Sequence, residues 1–457
     1  MTSRLPDGPL LAYYGDDFTG STDTMEVMAL NAGLPTVLFL GLPTPARLAQ
    51  FADRRGIGIA GIARSKPPAW MHANLPAFFD TLFGIGAPIT QYKVCSTFDS
   101  SPEVGSIGTA IDIGLSRAAE SWSPMVVGAP QLRRWQAFGN LFAGIGSVRH
   151  RLDRHPTMSR HPITPMREAD LQRHLAAQTV KQIALIDLVD LAAGSAEAKL
   201  QELRRSGAEV VLFDITDPAT QAEAGRLIWE CREKGLFSAS SSGLQYALVA
   251  HWRAAGLLPA APPPPPRLQP IDRLLVVSGS CSPETAAQIR CAEDAGFVAV
   301  RLDGRRIASA DQREAEISSA LDALDHALGR GKDVLAYTAA SPEDPAIRDL
   351  RQYCAGQGIS FESTQEALGD ALGQIAFTLI QKHALRRLIV AGGDTSGRVL
   401  ARLPIEALEA TTPLAPGSPI CRAYSDVSAF DGLELALKGG QVGGPDLFVK
   451  ATGRMTE

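Results

Sequence analysis

Apolar residues along this chain fall into short continuous runs, and between them lie longer stretches whose apolar positions recur with the 3.6-residue period of a helix. Leu10-Leu-Ala-Tyr-Tyr14 reads as a buried strand, Gly15-Asp-Asp-Phe-Thr-Gly-Ser21 as the loop after it, and the residues to about Asn31 as a helix stopped at Gly33. Pro35-Thr-Val-Leu-Phe-Leu40 is the next strand, which completes a βαβ unit. Pro124-Met-Val-Val127, Ile183-Ala-Leu-Ile186 and Val210-Val-Leu-Phe213 continue the series, alternating with helical patterns over 168–180 and 196–205. Further on, strands are predicted at 273–277, 296–301, 333–337 and 387–391, with helices at 283–295 and 311–328. Such alternation predicts α/β architecture with parallel sheets, whose ligands bind at the carboxyl ends of the strands.

The pattern is interrupted once. Ala260-Ala-Pro-Pro-Pro-Pro-Pro-Arg-Leu-Gln-Pro270 contains five consecutive prolines, which remove backbone donors and favour a stiff, extended spacer. The expected organisation is two doubly wound α/β domains, 1–258 and 271–457, joined by a proline-rich linker at 259–270. With 457 residues and 45% hydrophobic content, both parts are large enough to bury a core.

Charge and cysteine content narrow the function. The 44 Lys and Arg against 49 Asp and Glu leave a net charge of -5, so no basic field exists for a nucleic acid or an anionic membrane, and an anionic ligand must be met locally. The six cysteines are scattered without metal-ligand spacing, no N-terminal signal peptide is legible, and no apolar run approaches the length of a membrane span. A cytoplasmic enzyme with reduced thiols is expected, and a homodimer is the default assembly.

Chemistry concentrates at the predicted strand ends. Gly15-Asp16-Asp17-Phe18-Thr19-Gly20 places two carboxylates and a hydroxyl at a helix start. One acid there is an ordinary N-cap; two adjacent acids between glycines also suit a group that accepts a proton from a sugar hydroxyl or holds Mg²⁺. In Gln91-Tyr-Lys93-Val-Cys95-Ser96-Thr97-Phe-Asp99-Ser100-Ser101, Lys93 ends a strand and hydroxyls crowd the loop, a mixture that fits a polyol carboxylate but also a polar loop of Asx and Ser turns. Residues 149–167 form the one strongly cationic stretch, with five arginines, His150, His155 and His161. It reads as a solvated face or, through Arg160 and His161, as a carboxylate contact.

The second part carries three glycine- or serine-rich loops. Val277-Ser278-Gly279-Ser280-Cys281-Ser282-Pro283 follows a strand, with Ser282 as N-cap and Pro283 at the first helical position. Gly392-Gly393-Asp394-Thr395-Ser396-Gly397 repeats the strand, loop, helix order, and a side chain at Gly393 is expected to crowd the loop and force an unfavourable φ. Lys438-Gly439-Gly440-Gln441-Val442-Gly443-Gly444 adds a lysine. Three such loops suggest a phosphate-binding nucleotide site, although none has the Walker A spacing. Gly56-Ile-Gly58-Ile-Ala-Gly61 matches the dinucleotide fingerprint by letter only, because no helix follows it.

Taken in order, these motifs resemble the four-carbon acid sugar kinase family over nearly the whole chain: Asp16 to Gly20, Tyr92 to Ser100, Ser159 to Met166, Ser278 to Ser282, Gly392 to Gly397 and Lys438 to Gly443. The resemblance implies an acid-sugar-binding N-terminal domain, a nucleotide-binding C-terminal domain and an active site in the cleft between them, with ATP as co-substrate and Mg²⁺ as cofactor. It assigns acid-sugar contacts to Asp16, Asp17, Arg64, Lys93, Ser96, Thr97, Asp99 and Ser100, and Asp17 is the expected base with Asp16 as its partner. ATP contacts fall to Ser280, Ser282, Gly393, Asp394, Thr395, Ser396, Lys438, Gly440 and Gly443. The Cys-Ser-Thr-Phe-Asp-Ser loop is similar to the 3-oxo-tetronate kinase branch, whereas threonate and erythronate kinases usually carry an Asp-Ser-Thr-Leu-Arg-Gly type loop. A branched substrate such as 3-oxo-isoapionate fits the same reading. The competing expectations are an oxidoreductase or aldolase on the same substrates, and a non-catalytic sugar-acid sensor.

Overall fold

A computed structural model describes residues 4–161, 163–232, 235–341 and 343–455. Pro162, within the cationic motif, lies outside the described residues. The chain divides into two compact units, Met1–Pro264 and Pro265–Glu457, and the division falls inside the proline run. Residues 261–270 form neither helix nor strand and are largely exposed, as prolines without backbone donors dictate.

The first unit is built on a parallel sheet in the order Leu236–Ser240, Ile89–Lys93, Leu11–Gly15, Gly56–Ala60, Thr36–Phe39. Every residue of Leu11–Gly15 is buried, which is why the strand reads as a continuous apolar run rather than an alternating one. The glycines of the false dinucleotide fingerprint have a packing role. A Cβ on Gly58 would fall 2.2 Å from the Tyr13 ring and one on Gly61 1.9 Å from the Tyr14 hydroxyl, so these positions admit the two tyrosines. A second parallel sheet has the order Ser123–Met125, Val210–Phe213, Ile183–Ile186.

One element departs from the alternation. Arg134–Ala137, Asn140–Ile145 and Val148–Arg151 form an antiparallel sheet. Its first turn, Phe138 and Gly139, has φ of 47° and 73° respectively, two positive values that a two-residue hairpin of primed type requires. Buried Asp214 holds that turn by accepting from the backbone of Phe138 at 2.5 Å and of Gly139 at 3.0 Å.

The second unit orders its strands as Ala407–Ala415, Ser418–Tyr424, Glu434–Lys438, Arg387–Ala391, Leu275–Ser278, Val334–Tyr337, Val298–Arg301. The last five are parallel and the first two add an antiparallel hairpin. Helices Pro283–Asp294, Ala310–Gly329, Phe361–His383 and Gly393–Arg402 run between strands. Among the described residues no helix is long and apolar enough to cross a membrane.

Candidate functional site

In the first unit, neighbouring parallel strands end at one level: Gly15 pairs with Ala60 and with Lys93, and Lys93 with Ser240. Their loops therefore open together. Asp16 donates its backbone N–H to the Lys93 carbonyl at 3.0 Å and accepts that of Arg64 at its own carbonyl at 3.1 Å, which fixes three sequence-distant segments to one another.

Asp17 is the N-cap of helix Phe18–Glu26. Its Oδ1 accepts from the Gly20 N–H at 2.8 Å, and its Oδ2 from the Thr19 hydroxyl and from Arg64 Nη1, both at 2.7 Å. Asp16, 2% exposed, receives the other edge of the same guanidinium, Nη2 at 2.8 Å and Nε at 3.3 Å. One arginine thus clamps both carboxylates. Lys93 is buried beside them; a Cβ on Gly20 would lie 2.2 Å from its Nζ and 2.5 Å from Asp17 Oδ1, so the bare glycine leaves the room in which ammonium and carboxylate converge.

The two acids differ in protonation. Burial drives Asp16 above the usual carboxylate range, and the Arg64 charge opposes it while that of Asp17 reinforces it. Burial also acts to raise Asp17, but Arg64, Lys93, Thr19 and Gly20 outweigh it and hold the carboxyl below its ordinary value. Asp17 is therefore the securely ionised partner.

The loop after Lys93 buries Thr97, Asp99 and Ser100, with Ser96 half-buried. Burial pushes the Cys95 thiol up to about 11, so it stays protonated and lies 2.9 Å from the Thr97 hydroxyl. The Ser100 hydroxyl is engaged by the Phe98 carbonyl, His174 Nε2 and Gln178 Nε2, each at 3.0 Å. Arg160 is exposed at the end of a short turn, and His161 Nδ1 accepts from the Thr164 backbone at 3.1 Å; neither joins the hydrogen bonds of the aspartate pair. The cationic stretch instead sends buried His155 inward. His155, Arg134, Asp23, His174 and Gln178 were not singled out by sequence reasoning as ligand contacts. Strand alternation over 134–151 was the available signal for Arg134; the others carry none beyond their side-chain type.

In the second unit the three loops again leave adjacent parallel strands, with Ser278 paired to Ala391 and Ala391 to Lys438. Ser282 caps helix Pro283–Asp294 through the Thr285 N–H at 3.1 Å and also donates to the Gly440 carbonyl. Ser280 Oγ lies 2.9 Å from Thr285 Oγ1, and Lys438 Nζ donates to Thr285 Oγ1 at 2.5 Å and to the Gly440 carbonyl at 3.0 Å. Gln288 donates to the carbonyls of Val442 and Gly444 at 3.0 Å and of Gly443 at 3.2 Å, which anchors the last glycine loop. Burial pulls Lys438 down to about 7, so near neutrality its charge depends on what approaches it.

The middle loop corrects one expectation. The residue with the special conformation is Gly392, at φ 122°, where a Cβ would meet Thr395 Oγ1 at 2.8 Å and the Ser280 nitrogen at 3.3 Å. Gly393 begins the helix Gly393–Arg402, has no positive φ, and a Cβ there meets nothing within 4 Å. Asp394 is exposed in the first helical turn, Thr395 is buried, and Ser396 donates to the Gly392 carbonyl at 2.7 Å.

Comparison with known proteins agrees with this division. Residues 11–248 match the family described as a sugar-binding N-terminal domain, and residues 275–448 one described as a nucleotide-binding C-terminal domain. A 3-oxo-isoapionate kinase of Paraburkholderia graminis is 51% identical over 97% of this chain and 94% of its own. A 3-oxo-tetronate kinase of Methylobacterium radiotolerans is 33% identical over 97% of this chain and 99% of its own. The fold is that of a Haemophilus influenzae protein of known crystal structure, with a TM-score of 0.70 at 24% identity over 97% of this chain and 100% of that one. With kinases matching at these identities over nearly the full length, the chain belongs to the four-carbon acid sugar kinase family and is an ATP-dependent kinase.

Proposed function

We propose that this protein phosphorylates the terminal hydroxyl of a short 3-oxo sugar acid, with branched 3-oxo-isoapionate as first substrate and 3-oxo-tetronate as second. The supporting observation is the ionised Asp17, held by Arg64 at 2.7 Å beside buried Lys93 at the end of a central strand. The 51% identity to a 3-oxo-isoapionate kinase orders the two substrates.

Phosphoryl transfer asks mainly for positioning and charge stabilisation rather than for a strong base. A carboxylate already saturated by Arg64, Thr19 and Gly20 is a weak base but a rigid one, so Asp17 orients the hydroxyl and takes its proton late, while Asp16 fixes the guanidinium from its other edge. Lys93, Thr97 and Asp99 line the acid-sugar side. Ser280, Ser282, Gly393, Thr395, Ser396, Lys438, Gly440 and Gly443 form the nucleotide side, where backbone N–H groups, hydroxyls and one lysine meet phosphates.

Mg²⁺ is proposed as the companion of ATP. Mg²⁺ entering with ATP would be held chiefly by phosphate oxygens and a single carboxylate. Exposed Asp394 is the residue that would supply that carboxylate, and the ion would neutralise phosphate charge.

The test is ADP release in a coupled assay with Mg-ATP across 3-oxo-isoapionate, 3-oxo-tetronate, threonate and erythronate. Turnover fastest with a 3-oxo acid is expected. Binding of these acids without ADP release from any would favour the sensor reading instead.

A further inference from the structure

The antiparallel sheet of the first unit carries polar groups that the phosphoryl-transfer chemistry leaves unused. Arg134 is directly opposite Ala143, and Ala143 is opposite His150, so the three lie in one row on one face of the sheet. The small Ala143 separates the two large side chains. The His150 ring packs edge-on against His155 with centroids 5.8 Å apart, which extends the row to a residue only 1% exposed.

The tautomer of His155 follows from its contacts. Its Nδ1 accepts from the backbone N–H of Thr157 at 3.3 Å and of Met158 at 3.2 Å, so the lone pair is there. Burial, with the charges of Arg134 and His150, pulls the ring down to about 4, so it is neutral near pH 7 and its one proton sits on Nε2. That Nε2–H is buried with no hydrogen-bond partner. Arg134 Nε is in the same condition, although its Nη1 donates to the carbonyls of Leu132 and Arg133, both at 3.1 Å.

Carboxylates interact with the Arg134 donor. Asp99 Oδ1 is likewise buried without a partner, whereas Asp23 faces the Ser242 hydroxyl, and both carboxylates are coupled to the Arg134 charge. Asp23 lies on the helix capped by Asp17, in register with Gly20 and Asp17 at intervals of three residues, hence on the face that Lys93 approaches. Unsatisfied buried donors are costly, and two of them on neighbouring cationic and imidazole side chains, with the Asp99 acceptor coupled to the first, match a ligand bearing both an anionic oxygen pair and hydroxyls.

We infer that Arg134 and His155 form the subsite for the carboxylate of the acid sugar, leaving the opposite end of the substrate toward Asp16 and Asp17. This rests on the acid-sugar kinase reading and adds to it the direction in which the substrate lies and the residues that read its acid group.

The experiment titrates 3-oxo-isoapionate and its neutral carboxamide, by calorimetry, into wild type, Arg134→Met, Arg134→Lys and His155→Leu, with ADP release measured in parallel. Wild type should prefer the acid by about a hundredfold or more, since buried donors left unpaired penalise the analogue that lacks their partner. Arg134→Met should lose roughly tenfold or more in acid affinity with the acid-over-amide preference falling toward one, while the affinity for ATP stays unchanged. Arg134→Lys should recover part of the preference, and His155→Leu should lose a smaller part than Arg134→Met. Wild type that does not discriminate acid from amide, or a folded Arg134→Met that keeps the full preference, would overturn the inference. ADP release reads the chemistry separately: acid-selective binding without turnover sinks the kinase reading of the substrate and leaves the carboxylate subsite standing.

Discussion

The two ligand-facing regions solve recognition with opposite materials. At the strand ends of the first unit, charge is already present and already paired: Arg64 spans Asp16 and Asp17 at 2.7 to 2.8 Å, with Lys93 buried alongside. At the strand ends of the second unit the lining is neutral, made of serine and threonine hydroxyls, backbone groups and one lysine pulled down to about 7. A network of buried charges is rigid but expensive to disturb, whereas hydroxyls and backbone N–H groups adapt to an incoming polyphosphate that brings its own charge. The contrast teaches that the first region is organised for orientation and the second for reception.

Substitutions in the charged region should therefore have the larger effects. Asp17→Asn is expected to lower kcat by ~10² to 10⁴, the usual worth of a positioned proton acceptor, and more than about a tenth of wild-type turnover would remove Asp17 from that role. Arg64→Ala strands one buried and one partly buried carboxylate and should destabilise the first unit by about 3–5 kcal/mol in denaturant titration. A loss below about 1 kcal/mol would show that the clamp has the strength of a surface pair only.

The neutral region should respond more mildly and more selectively. Gly392→Val places a branched side chain at φ 122° and against Thr395, a strain of about 1–3 kcal/mol that should raise the KM for ATP well before that for the acid sugar. Gly393→Val, pointing into open space, should do less; an equal effect from both would mean that bulk rather than backbone strain is what ATP senses. The smallest expected effect is on pH. With Lys438 at about 7 in the ligand-free protein, phosphate raises that value, so binding takes up a proton above pH 7 and ATP affinity falls as pH rises. Calorimetry in buffers of different ionisation enthalpy measures that proton, and the loss should not exceed about tenfold per pH unit, the limit for one proton; a pH-independent affinity above pH 7 contradicts the assignment.

Legibility from sequence followed physical rules rather than length of segment. Strands buried on both faces, such as Leu11–Gly15 and, after its buried Arg387, the Leu388 to Ala391 run of Arg387–Ala391, announce themselves as continuous apolar runs. The hairpin Ala407–Ala415 and Ser418–Tyr424 was missed; it carries Pro413, Pro416 and Pro419, and prolines at this density mask a strand pattern. Helix Glu168 to Val180 was expected, but only Leu171–Ala176 forms. The aspartate loop was visible as chemistry, yet its bond to Arg64, 47 and 48 residues away, has no local signal and was reached through family resemblance alone. Gly392 and Gly393 show the same limit at single-residue scale, since only coordinates reveal which glycine takes the positive φ.

The division between an acid-sugar region and a nucleotide region is tested most directly by a crossed titration. Mg-bound, non-hydrolysable ATP analogue and 3-oxo-isoapionate are each titrated calorimetrically into wild type, Asp17→Asn and Lys438→Met. The account predicts a crossed result: Asp17→Asn keeps nucleotide affinity within about twofold and weakens the acid sugar, and Lys438→Met does the reverse, each lost charged hydrogen bond being worth ~1.5–3 kcal/mol. Loss of nucleotide affinity in Asp17→Asn, with acid-sugar binding intact, would contradict it and exchange the roles of the two regions.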